Sequence, residues 1–117
     1  MDSIEFTVIG FPPAYDSGFS ISNKAHKRYP LVVILQDKAK ENMNGKELLQ
    51  GDLTMDLKCE STLEHSQTDT VNLMPGVANV LQGIVYCNDN QIKEIHVKRL
   101  LSHHDRYTVR IGKVGQY

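Results

Sequence analysis

The chain has no tryptophan, and its 117 residues include only three phenylalanines, five tyrosines and two cysteines, Cys59 and Cys87. Too few aromatics fall in the basic segments to build the stacking platforms that sequence-tolerant single-strand binders use. Two cysteines are too few for a cysteine zinc site, and without an export signal they read as reduced thiols of a cytoplasmic protein. No apolar run approaches the ~18 residues that span a bilayer, so no membrane partner is expected. The opening MDSIEF lacks the basic start and apolar core of a signal peptide. Excess charge of one sign is missing too, with 13 basic against 14 acidic side chains and a net charge of −1. Repeats, low-complexity tracts and linkers are absent, which points to a single domain over 1–117.

What is present is a charge pattern that the net value hides. Residues 47–89 carry seven acids and one base, Lys58, whereas 90–117 carry Lys93, Lys98, Arg99, Arg106, Arg110 and Lys113 against Glu94 and Asp105. A second basic knot lies at Lys24, His26, Lys27 and Arg28. An acidic middle between basic flanks suits a metal-binding centre within a phosphate-binding surface, and equally a set of solvated faces. On the first reading, Lys24, Lys27, Arg28, Lys98, Arg99, Arg106 and Arg110 are the candidate phosphate contacts.

Periodicity predicts six elements. Ile4, Phe6 and Val8 alternate with Glu5 and Thr7 as a strand that Gly10-Phe11-Pro12-Pro13 stops. An aperiodic polar loop follows through Tyr29. Pro30 opens a helix over about 30–44 with Val32, Leu35, Ala39 and Met43 as its apolar stripe and Gly45 as a left-handed stop. Leu53, Met55, Leu57 and Cys59 alternate with Thr54, Asp56, Lys58 and Glu60 as the clearest strand. A second helix is expected over 70–82, distorted early by Pro75-Gly76, with Leu73, Val77, Val80, Leu81 and Ile84 inward. The stretches 93–101 and 106–113 read as a hairpin turned at 102–105. The order β-α-β-α-β-β implies an α+β fold, two helices packed on a largely antiparallel four-stranded sheet.

The stretch 69–92 is the chemically suggestive one. A helix of about thirteen residues carries the chain ~20 Å from Asp69. Residues 84–88, if extended, return ~16 Å. Asp89 therefore comes back near Asp69, and two carboxylates with a substrate phosphate form a plausible shell for a hard cation such as Mg²⁺. The competing account makes Asp69 a helix N-cap and Asn88-Asp89-Asn90 an ordinary turn. His103-His104-Asp105 reads as a surface turn, and His96 as a face-lining strand residue.

The order of these features resembles the RusA-type Holliday junction resolvases over nearly the whole chain. The resemblance is carried by a first strand ending in Phe11-Pro12-Pro13, the acidic-x-x-Asn-Leu element at Asp69, Asn72 and Leu73, the helix closed by Gly83, and the turn Asp89-Asn90-Gln91-Ile92. It implies a homodimeric, Mg²⁺-dependent endonuclease acting on branched DNA, with Asp69 and Asp89 as metal-binding catalytic residues and Asn72 and Gln91 as motif positions. Three positions depart from the family pattern. Val71 stands for the motif's second aspartate, Pro75 for a lysine, and Asn88 for a common aspartate. Glu60, Glu64 and His65 are candidates for the missing ligand. Two alternatives stay open: a degenerate member that binds DNA or a partner without cutting, and a small non-enzymatic α+β interaction module.

Overall fold

A computed structural model describes residues 3–14, 29–65 and 70–114. β1 (Ser3–Ile9) buries Ile4, Phe6 and Val8 and exposes the residues between them, as its alternation predicts. It ends at Gly10, whose φ of +125° is open to glycine but strained for other residues. The chain then folds tightly on itself, the Ala14 N–H donating to Pro12 O at 2.8 Å. Phe11, Pro12, Pro13 and Ala14 are all buried, so the segment that stops the strand also belongs to the interior.

α1 (Tyr29–Met43) buries Val32, Leu35, Ala39 and Met43, the expected stripe. Asn44 (φ +47°) and Gly45 (φ +76°) turn the chain out through two successive left-handed residues. β2 (Leu53–Ser61) is the central strand, with Leu53, Met55, Leu57 and Cys59 buried toward the helices. α2 (Leu73–Leu81) is preceded by a 3-10 turn at Thr70–Asn72, so the expected helix over 70–82 splits into two parts. Pro75 sits in the first turn of α2, where its missing N–H costs no intrahelical bond. Gly76 allows the backbone of Pro13 to press onto the helix; a Cβ there would lie 1.9 Å from Pro13 O. The two prolines that stop β1 and the glycine inside α2 are thus one packing feature.

β3 (Ile92–Leu101) and β4 (Arg106–Lys113) complete a four-stranded sheet of order β1-β4-β2-β3. The α+β class holds, with two of the three pairings antiparallel: β1 with β4 and β2 with β4, while β2 runs parallel to β3. The expected hairpin between 93–101 and 106–113 does not form, because β2 lies between those two strands. Two strand spacings are ~9.6 Å, which four connecting residues can cross. Burial explains the choice. Tyr107, Val109 and Ile111 of β4 are fully buried and need a central position, whereas β3 is largely exposed and suits an edge.

The connector 102–105 crosses the end of β2 and is fastened there. Ser102 N donates to Ser61 O at 2.9 Å, and Thr62 N donates to Asp105 Oδ1 at 2.9 Å. Asp105 O accepts from Gly10 N, also at 2.9 Å, tying in the end of β1. The buried apolar residues of both helices and the sheet form one cluster. No helix among the described residues is long and apolar enough to cross a membrane.

Candidate metal site and groove

Asp89 is presented by a turn whose polar groups are spent on holding its shape. Asn88 caps a 3-10 turn at Asp89–Gln91, its side chain accepting from Asn90 N at 2.9 Å. Gln91 Oε1 accepts from both Cys87 N and Asn88 N at 3.0 Å. Gln91 Nε2 reaches back to Leu49 O (3.2 Å) and Gly51 O (3.0 Å), stapling the turn to the approach of β2. The Asp89 N–H donates to Gln82 Oε1 at 2.7 Å, which ties the turn to the end of α2. The backbone N–H groups from Cys87 to Ile92 all have backbone or amide acceptors, and the exposed Asp89 carboxylate forms no ion pair with a described residue. The turn reading of Asn88-Asp89-Asn90 is therefore correct, and it is what aims Asp89 outward.

The carboxylate stands at the rim of a groove of about 580 Å³ between α2 and β3. Val71, Met74, Pro75 and Ala78 form its helical wall; Ile92, Ile95 and Val97 form the strand wall. Thr70 lines the same groove, so the residue that follows Asp69 in sequence belongs to the site that holds Asp89. Asp69 itself lies outside the described residues. The N-cap position of α2 is Asn72, which makes no side-chain cap hydrogen bond. Val71, in the wall of the groove, is 77% exposed.

Arg99 brackets the segment that carries Asp69. Its Nη2 donates to His65 O at 3.1 Å and its Nη1 reaches Thr70 Oγ1 at 3.5 Å, so one guanidinium touches the residue on each side of 66–69. His65 is fixed a second way. Its ring stacks on Phe11 at 4.2 Å between centroids with planes 18° apart, and its Nδ1 lies 2.9 Å from Asp105 Oδ2. That Nδ1 approach is an electrostatic contact without the alignment of a hydrogen bond. Burial pushes the Asp105 carboxyl upward, but the Thr62 N–H and His65 outweigh it and hold it below its ordinary value. Asp105, expected to be a surface turn residue, is a pin for the 62–65 segment. No local sequence pattern signals it, because its partners lie about forty residues away.

The proposed third ligands do not join Asp89. Glu60 is on the opposite face of the sheet, paired with Arg106 and 3.9 Å from Lys58, and this pairing holds its carboxyl below the usual range. His65 is turned to Phe11 and Asp105, and Glu64 is exposed in a 3-10 turn. Among the described residues, no three His, Cys, Asp or Glu side chains converge on one point.

The basic candidates divide between the two faces of the sheet. Lys98, Arg106 and Arg110 share the open face; Arg110 is in register with Asp56 and Glu5 and Arg106 with Glu60, whereas Lys98 is opposite Lys58. Arg99 is opposite Cys59 in register and lies on the helix side with the groove. Lys24, Lys27 and Arg28 lie outside the described residues. Cys59 is buried, and burial pushes its thiol up to about 11, which keeps it protonated; Cys87 is exposed.

The family model for endodeoxyribonuclease RusA matches residues 23–112. That span includes α1, the groove, the Asp89 turn and the strands β2, β3 and nearly all of β4, and leaves out the edge strand β1. A comparison with curated proteins finds no match.

Proposed function

Because the chain belongs to the RusA endodeoxyribonuclease family, we propose that it binds branched DNA of the Holliday junction type as a cytoplasmic homodimer and hydrolyses phosphodiesters with Mg²⁺ held by Asp69 and Asp89. The observation that supports this reading is Asp89 in the lining of a groove that Thr70 also lines, on a turn held by the Asn88, Gln91 and Gln82 side chains rather than by its carboxylate. The donor set fits the ion, since Mg²⁺ favours hard carboxylate oxygens and keeps several waters and substrate oxygens of its own. When bound, it supplies a polarised water and neutralises charge building on the phosphate.

The protein's own residues provide position. Gln91 and Gln82 fix the Asp89 backbone, and Arg99 ties together the flanks of 66–69. The apolar side chains of Val71, Met74, Pro75 and Ile95 line the groove beside the carboxylate. Lys24, Lys27 and Arg28, with the open-face bases, are proposed to hold the DNA backbone.

A second reading, binding without cleavage, is favoured by the apolar character of Val71 and Pro75 at two positions where the family motif carries an acid and a lysine. One assay separates the readings. A labelled four-way junction and a linear duplex are incubated with the protein, with and without Mg²⁺. Cleavage of the junction that Asp69→Asn abolishes supports the nuclease, and tight binding without cleavage supports the second reading. If the protein neither binds nor cuts, an interaction module without a nucleic-acid role remains.

A further inference from the structure

Among the described residues, β3 has an open edge and an incompletely covered apolar face. Ile95 is 53% exposed, although its register partner Met55 in β2 is fully buried on the same side. The other edge strand is different, because every helix-side residue of β1 is buried. Long edges with exposed apolar side chains are unstable against further strand pairing unless something protects them. Glu94, His96 and Lys98 occupy the open-face positions of β3, two residues apart.

We infer that β3 is the homodimer seam, pairing antiparallel with its own copy about a two-fold axis through His96. The inference deepens the dimer of the preceding section and names the surface that makes it. A two-fold axis perpendicular to the sheet keeps each side chain on its own face, so it must pass through a residue rather than between two. Centring on His96 places Glu94 opposite the partner's Lys98 twice over, and Ile95 opposite the partner's Val97 twice over. Opposite charges and apolar residues directly across a ladder are both stabilising. Centring on Ile95 puts Glu94 against histidine and leaves Lys98 without an acid. Centring on Val97 sets Ile95 against arginine and His96 against lysine. Of the three centres, only His96 sets Glu94 against Lys98 and Ile95 against Val97, with the two His96 side chains facing each other at the axis. The register irregularity next to Leu53/Thr54 marks where the regular ladder of β3 begins, consistent with a short seam.

The arrangement has a functional consequence. It makes one continuous eight-stranded sheet with both α2–β3 grooves on the same side. Ile92 is four residues from the axis, so at ~3.3 Å per residue the two Ile92 positions stand roughly 26 Å apart along the strands. Two carboxylate sites facing the same way across a two-fold axis suit a two-fold branched substrate.

The test uses cysteine cross-linking and charge exchange on the full chain, with Cys87→Ser as background to remove the exposed thiol. Opposed residues of an antiparallel pair have Cα atoms ~4.5–5.5 Å apart, within disulfide range. His96→Cys should therefore form a covalent dimer under mild oxidation, and Lys58→Cys, on the same face one strand inward, should not. Glu94→Lys and Lys98→Glu should each raise the dimer dissociation constant at least tenfold by sedimentation, and the double exchange should restore it. A dimer by light scattering that shows no 96–96 cross-link and ignores the charge changes overturns the seam and leaves the dimer standing. A wild-type monomer at tens of micromolar overturns both.

Discussion

Replacing Gly76 with alanine sets two effects of opposite sign against each other. In a helix interior alanine is better than glycine by about 1 kcal/mol, so propensity alone predicts a gain. The added Cβ would lie 1.9 Å from Pro13 O, 2.9 Å from Pro13 C and 3.1 Å from Ala14 Cα. Because side-chain carbons essentially never come within 3.0 Å of such atoms, α2 and the 11–14 segment must separate by about 1 Å. The obstacle is backbone, held by two prolines and by the Gly10–Asp105 and Ala14–Pro12 hydrogen bonds, with no rotamer to swing aside. Overpacking of a close-packed site costs about 3 kcal/mol when no side chain can yield, which exceeds the propensity gain. The net expectation is a loss of about 2 kcal/mol, or a Tm lowered by about 8 °C for a domain of this size. Urea and thermal denaturation measure it directly. A Gly76→Ala protein of equal or higher Tm would refute the claim that Pro13 and α2 are in backbone contact.

Three further outcomes follow from the site. Arg99→Ala should speed amide exchange across residues 62–72 and weaken Mn²⁺ binding, with Arg99→Lys intermediate. The salt dependence of DNA binding should be unchanged, whereas loss of a phosphate contact reduces its slope by about one. Gln91→Ala removes four hydrogen bonds to backbone and should cost about 2 kcal/mol in urea unfolding, each being partly exposed and worth at most ~1 kcal/mol; a cost under 0.5 kcal/mol would show that the turn holds itself. Asp105→Asn tests the pin. The folded Asp105 pKa is depressed from its ordinary 3.8, so its stabilisation is present above that value and is lost as pH falls through the lower folded value. The stability gap between wild type and Asp105→Asn should be present at pH 5 and shrink below about pH 4; an equal gap at pH 3 and pH 5 contradicts the assigned contact.

The elements that sequence reveals well are those whose pattern is local. The Val32, Leu35, Ala39 and Met43 stripe and the Leu53 to Cys59 alternation translate directly into burial, and Gly45 into a left-handed turn. The strand order is not local. A four-residue gap between two alternating stretches reads as a hairpin, and only competition for the central positions of the sheet puts β2 between them. Arg99 illustrates the same limit at the site. A basic residue in a basic segment reads as a phosphate contact, and its bonds to His65 and Thr70 exist only because β3 runs beside the 62–72 region. Gln91 was identifiable as a motif position but not as a staple, since Leu49 and Gly51 lie some forty residues away. Asp89 is legible as a turn residue, and the turn is the device that presents its carboxylate.

The central claim is a cation held between Asp69 and Asp89, and direct Mn²⁺ titration followed by electron paramagnetic resonance tests it most closely. Wild type should bind one ion per chain in the absence of DNA, and Asp69→Asn and Asp89→Asn should each lose that site while keeping the wild-type fold by circular dichroism. Undiminished Mn²⁺ binding in both variants would contradict the account.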